Sequence, residues 1–280
     1  MTKEVDDFVQ STIEELEKLK LHDLISKMQS AFFKEKRLSI QPGEIVIGGD
    51  FSENYTPVVQ DAIAVQSHHW NKQGTTIHPW IVYYNDEGQI SSKSFAMISD
   101  RIIHDPAAIN LFQKVLINYI IGDLNIQVNK IFYFTDGCPN QYKCCKNFVN
   151  LLYHKADFGV DAEWHFFATS HGKGPYDGIG GTIKRLACQE SLRRPKEGQI
   201  QTPKDLYNFC SENITGIKTF FISNSEIIEH LGCLQLRFAK AKTLVGTKKF
   251  HSFVPISENL TDIKCKSFST SANFKVKSVL

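Results

Sequence analysis

The chain has 280 residues, 42% hydrophobic and 22% charged, with a formal net charge of +2; this is ordinary globular composition, enough for one large or two modest domains. No run approaches the roughly 18 apolar residues of a membrane span, and the opening "MTKEVDDFVQ" lacks the basic-then-apolar layout of a secretory signal. Seven cysteines, an odd number with Cys144 beside Cys145 and no CxxC pair, argue against a disulfide framework or a zinc knuckle; a reducing compartment, nucleus or cytosol, fits best.

In chain order, residues 4–36 read as one broken helix or two short ones. Leu24, Met28 and Phe32 recur every four residues, Leu21 and Ile25 widen the stripe, and a packed helical hairpin is expected. "QPG" at 41–43 ends it, and "EIVIGGDFS" follows as a strand with Gly48 and Gly49 just before Asp50. A helix is expected from Pro57. "TIHPWIVYY" and "QISSKSFAMI" form a hairpin around the turn "NDEG" at 85–88. In "HDPAAINLFQKVLINYII" Asp105 is the expected N-cap and Pro106 the first helical residue. A strand at 131–135 leads into a helix expected from Pro139 to about His154. "AEWHFFATS" is another strand, and "HGKGPYDGIGGTIKRLACQESLRR" turns into a helix. A charged linker, "RRPKEGQIQ", leads to a smaller region. There Thr202 and Pro203 start a helix, and "KFHSFVPI" and "DIKCKSF" read as strands.

Hairpin strands pair antiparallel, and strands separated by helices pair parallel. The order therefore predicts an α/β fold: a mixed five-stranded sheet, three strands antiparallel and then parallel ones, flanked by helices. The organisation is an N-terminal helical segment (1–40), this α/β unit (41–195) and a small basic α+β region (196–280). The element order is similar to the ribonuclease-H-like fold of retroviral integrases and cut-and-paste transposases.

In that arrangement the first and fourth strands are adjacent and parallel, and Asp50 and Asp136 end them. Asp before Gly is also plain turn chemistry. The sharper reading is a shared ligand at the carboxyl ends of central strands. Adjacent strands lie about 4.8 Å apart, near enough for two carboxylates to share Mg²⁺, which favours oxygen ligands. Two ions about 4 Å apart would clamp the attacking and leaving oxygens of a phosphodiester. A third acid should come from the helix after the fifth strand. Glu190 lies 13 residues beyond Asp177, about 20 Å along a helix, so Asp177 is the candidate. Its alternative role is as an N-terminal helix acid. The glycines at 178, 180 and 181 fit a close approach by another backbone or nucleic acid.

"GGDFSENY", "FTDGCPNQYK" and "ATSHGKGPYDGIGGTIKR" together resemble the catalytic segments of DDE/D transposases. They look most like transposon-derived proteins of animal genomes that carry the same "HGKG…DGIGG" block. The resemblance covers roughly 40–193, with a fainter likeness in "GTKKFHSF". It implies DNA strand cleavage and transfer dependent on two Mg²⁺ or Mn²⁺ ions, with Asp50, Asp136 and Asp177 as ligands and no small-molecule cofactor. The third acid is Asp where many relatives have Glu. A catalytically silent, transposon-derived binding module is the alternative.

Around these acids, His171 and Lys173 are candidates for contacting a scissile phosphate or orienting water, or are solvated turn residues. Asn140, Gln141 and Lys143, at the expected helix opening, suit phosphate binding or ordinary capping. In "QSHHW", Trp70 is able to stack a base or to pack, with His68 and His69 beside it. A thiol hydrolase built on Cys138 with His165 or His171 is a rival enzyme. From Arg237 to the end there are nine Lys and Arg against two acids, a surplus suited to a polyanion. Lys248 and Lys249 lead that set, with Lys184, Arg185, Arg193 and Arg194 around the third-acid helix. The partner expected is DNA; a homo-oligomer is compatible and a membrane is not.

Overall fold

A computed structural model describes residues 2–58, 74–169, 172, 174–195, 198–256 and 259–280. The expected helix from Pro57, the "QSHHW" stretch with Trp70, and the side chains of His171 and Lys173 lie outside the described residues.

The chain opens with one helix, α1 (Thr2–Leu38), where a broken helix or a hairpin was expected. The reason is compositional: no glycine or proline interrupts these residues. Only the part of α1 from His22 onward meets the body. There Phe33 packs on Phe134 and Phe167, with ring centroids 4.8 and 5.4 Å away. Gln29, buried, donates from Nε2 to the Phe166 carbonyl (2.9 Å) and to Ser269 Oγ (2.9 Å).

Strands β1 (Glu44–Gly49), β2 (Thr76–Asp86) and β3 (Gln89–Ser99) form an antiparallel meander. The β2–β3 turn has φ +51° at Glu87 and +92° at Gly88, the left-handed pair that tight hairpins prefer. Helix α2 (Pro106–Asn118) is capped as expected: Asp105 accepts the N–H groups of Ala107 and Ala108 at 3.1 and 2.9 Å. Then come β4 (Lys130–Thr135), α3 (Cys145–Phe158), β5 (Asp161–Phe166) and α4 (Pro175–Arg193). The remainder is α5 (Pro203–Asn213), β6 (Ile217–Phe221), α6 (Asn224–Phe238), β7 (Ser252–Ile256), β8 (Asn259–Lys266) and β9 (Lys275–Ser278).

The fold is mixed α/β with one nine-stranded sheet, order β6-β3-β2-β1-β4-β5-β7-β8-β9. Five strands were expected. The difference lies in the C-terminal third, whose strands join the same sheet. β6 adds parallel to β3, and β7, β8 and β9 add antiparallel beyond β5. Both faces are buried. Ile45, Ile47, Ile131 and Tyr133 point into a core with α2 and α3, while Val46, Phe132 and Phe134 point into a second core under α4 and α5. This is the period-2 alternation of a strand covered on both sides. No helix among the described residues is long and apolar enough to cross a membrane.

Candidate active site

The last registered pair of the parallel β1–β4 ladder is Gly48 with Phe134. Asp50 and Asp136 each lie two residues further along, so they leave the same end of the sheet side by side. Of the two glycines before Asp50, Gly49 is a steric necessity and Gly48 is a tight fit. A Cβ at Gly48 would come within 3.2 Å of the Tyr176 ring, and one at Gly49 would run into Trp80 on the other face.

Both acids are half-buried. Asp136 Oδ1 accepts the Cys138 N–H at 3.1 Å, so the turn chemistry and the strand-end placement are both present. Burial pushes the Asp136 carboxyl up from its ordinary range. Asp50 accepts the Phe51 N–H at 2.7 Å and is raised to about 7, first by burial and then by the charge of Asp136, with a smaller push from Asp177. Hydrogen bonds from Phe51 and the Tyr142 hydroxyl oppose the rise. Neither aspartate has an ion-pair partner among the described residues.

Asp177 sits at the opening of α4, exposed, three residues after the N-cap Gly174. Its Oδ2 accepts the Gly174 N–H at 2.7 Å, one arm of a capping box. Between the acids lies Tyr176, whose hydroxyl bonds to the Gly172 carbonyl. Burial raises its pKa, and Asp50, Asp177 and Asp136 raise it further, in that order. One hydroxyl thus feels all three carboxylates. Two glycines permit this closeness: a Cβ on Gly172 would come 3.1 Å from that of Asp136, and one on Gly180 would collide with Ser52 Oγ. Gly178 and Gly181 face open space, so close approach explains Gly180 alone of the three helical glycines. Glu190 is tied to Arg194 at 2.8 Å on the last turn. Among the described residues no three His, Cys, Asp or Glu side chains are already gathered as a metal-holding set. The acids share a field without forming a closed cage.

Sequence reasoning missed the layer beneath Asp50. The Tyr142 hydroxyl lies 2.7 Å from His78 Nε2, and both residues are fully buried. With burial pulling the His78 pKa down to about 3, the imidazole is neutral. The Tyr142 hydroxyl also bonds to Asp50, and so links the imidazole to the carboxylate. His104 stacks on Phe51 at 3.9 Å and bonds to Asn54 (2.9 Å) and Gln141 (3.0 Å). An aromatic spacing of this kind carries no sequence signature, because its members come from four separate segments.

The helix expected from Pro139 begins at Cys145. The Cys138 carbonyl takes the N–H groups of Gln141, Tyr142 and Lys143 in a closed turn, and Cys144 is extended (φ −130°, ψ 162°). Asn140 and Gln141 therefore lie on a turn rather than a helix N-terminus, Asn140 exposed and Gln141 held by His104. Lys143 is buried at 8% exposure, its Nζ 5.2 Å from the Phe166 ring centre, with its pKa pulled down to about 8 by burial. Lys184 is half-buried with Glu53 near it, and Arg185 is exposed.

Lys248 and Lys249 are exposed on the turn entering β7. The Phe166 N–H donates to the His251 carbonyl at 2.9 Å, which holds that turn at the carboxyl end of β5, the end where Asp136 lies. The other basic residues divide. Lys264 alternates with Ile263 and Cys265 on β8, whereas Lys275 and Lys277 pair with Cys265 and Ile263 and share their face. Arg237 is engaged with Asp157 at 2.6 Å. A single basic face is not what forms. The thiol rival separates in its His165 form, since Cys138 packs on the α2–α3 side while His165 stacks on Phe134 on the other side and bonds to Ser269; its His171 form lies outside the described residues.

No curated protein matches the chain. Among solved structures, the crystal structure of NurA bound to dAMP and manganese is similar at 13% identity, over 94% of this chain and 51% of that one. This chain thus spans about half the length of that one, and the TM-score of 0.20 is too low to bear on fold or chemistry. One family does match across most of the length, at residues 29–269, and the chain belongs to it: the domain of unknown function DUF8701.

Proposed function

We propose that the chain is a divalent-cation-dependent enzyme that cleaves and transfers DNA strands, built on a ribonuclease-H-like core with Asp50, Asp136 and Asp177 as its acids. The observation that carries this reading is the placement of Asp50 and Asp136 side by side at the ends of adjacent parallel strands, where burial first and then the charge of Asp136 lift Asp50 to about 7. Two half-buried carboxylates without a cation of their own are a strained pair. Their hard oxygen donors suit Mg²⁺ or Mn²⁺, and the residues fit such an ion. The central order β3-β2-β1-β4-β5, antiparallel across β1–β3 and parallel across β1, β4 and β5, supports the ribonuclease-H-like reading.

Asp50 and Asp136 would hold the cation. When bound it would withdraw charge from the phosphoryl oxygens and from the attacking and leaving oxygens. Phe51 N–H and Tyr142 fix the Asp50 carboxylate, and Cys138 N–H fixes that of Asp136. Asp177 joins them by giving up the Gly174 N–H, at a cost of about 1 kcal/mol. Lys248 and Lys249, with Lys184 and Arg185, hold the DNA backbone. A nuclear location follows from that substrate and belongs to the same proposal.

The alternative, a catalytically silent nucleic-acid-binding module, is favoured by Asp177 being engaged as a cap. Nicking of supercoiled plasmid separates the two. The enzyme reading expects slow nicking or joining with Mn²⁺ or Mg²⁺ that Asp136→Asn abolishes. Activity that survives EDTA, or is untouched by Asp136→Asn, refutes the cation-dependent site. DNA binding without turnover in the parent supports the silent module.

A further inference from the structure

The first half of α1, to Leu21, stands clear of the body. Val5, Phe8, Val9, Ile13, Leu16 and Leu19 are 45–71% exposed. At the helical period they fall within an arc of about 140°. Glu4, Asp6, Asp7, Glu14, Glu15 and Glu17 occupy the rest of the circumference, and Lys3 is the only base before Lys18. Helices of this kind draw most of their stability from packing the apolar face, and this face is exposed, with no packing partner among the described residues.

The other end of the chain has the complementary character. Alternation along β8 puts Leu260, Asp262, Lys264 and Lys266 on one face, and Val276 of β9 pairs with Lys264. The Phe274 ring lies 5.1 Å from Lys264 Nζ. Leu260, Phe274 and Val276 are 57, 48 and 50% exposed. Lys264 and Lys266 have no carboxylate partner among the described residues. This is an apolar strip with two basic groups, Lys264 and Lys266, and one acid, Asp262, beside it.

We propose that the acidic, apolar-striped arm of α1 docks on the basic β8–β9 face of a second copy of the chain, reciprocally, in a two-fold dimer. Charge decides the occupant. Pairing the two arms with each other would line both edges of the seam with like charges, Glu4 and Glu15 along one edge and Asp6 and Glu17 along the other, whereas the β8–β9 face attracts them. Area is consistent. A stable interface needs about 1,200 Å² in total, and two reciprocal contacts divide that requirement in half. The inference is independent of the phosphodiester reading.

The test is sedimentation equilibrium of the full chain with two charge-reversed variants. One carries Glu14→Lys, Glu15→Lys and Glu17→Lys; the other carries Lys264→Glu and Lys266→Glu. The parent should dimerise at low salt and dissociate as salt rises. Each variant alone should associate about tenfold more weakly or worse, while keeping the parent's circular dichroism. Mixed one to one, they should dimerise again, because each reversed arm then meets a reversed face and each native arm a native face. A monomeric parent, a face variant that still dimerises alone, or a mixture that stays monomeric would each overturn the assignment.

Discussion

Asp50→Asn tests the electrostatics of the acid pair without relying on activity. In the folded chain Asp50 titrates near 7 against an ordinary 3.8. As pH rises between those values, the unfolded chain releases a proton that the folded chain keeps, so stability falls. Below that window the cost is absent; above it the cost is constant. Three units at about 1.4 kcal/mol each set a ceiling of about 4 kcal/mol. Partial exposure of the carboxyl and imperfect hydrogen bonding by Asn reduce this to about 2 kcal/mol. In urea titrations with chelator present, the variant should exceed the parent by about 2 kcal/mol near pH 8 and by much less near pH 4. Saturating Mn²⁺ should close the gap by stabilising the parent alone. A variant less stable than the parent near pH 8, or a difference that does not change with pH, would refute the reasoning.

Gly180→Ala should destabilise by about 1–3 kcal/mol in thermal unfolding, because its methyl meets Ser52 Oγ, and adding Ser52→Gly should recover most of the loss. Gly178→Ala faces open space and should gain about 0.5–1 kcal/mol; equal losses at the two positions would contradict the packing described. Tyr142→Phe should cost about 1–3 kcal/mol by leaving His78 Nε2 without its 2.7 Å partner, and a neutral result would remove the His78–Tyr142–Asp50 chain. Lys248→Glu with Lys249→Glu should flatten the log–log salt slope for duplex DNA by about 2; an unchanged slope places the DNA elsewhere. These point changes are the right instrument, since deleting 237–280 would strip Phe253, Ile263, Cys265 and Val279 from the main core.

The strands that carry Asp50 and Asp136 were legible because each is a short, continuous apolar run bounded by turn residues, as a strand buried on both faces must be. The Asp105 cap was legible because it is a local signal. What failed was non-local. β6 and β9 are short strands with weak patterns of their own, recognisable only through pairing with β3 and β8. The start of α3 was misplaced because Pro139 suits a helix opening, and nothing local announces that the Cys138 carbonyl closes a turn first. At the candidate site the sequence offers the three acids but not Tyr142 and His78, because a buried hydroxyl–imidazole pair is made by packing, not by spacing.

α1 is synthesised well before the segments that anchor it. The partners of Gln29 lie 137 and 240 residues downstream, at Phe166 and Ser269, so those contacts of the helix cannot form until β5 and the segment after β8 have been made. Closing such long loops is entropically slow, though the cost grows only gently with length. Meanwhile Phe32 and Phe33, later packed on Phe134, remain open to any apolar surface nearby. The same long tether means that α1 can lift away while the central strands stay paired, so its amide protons should exchange with solvent well before those of β1 and β4.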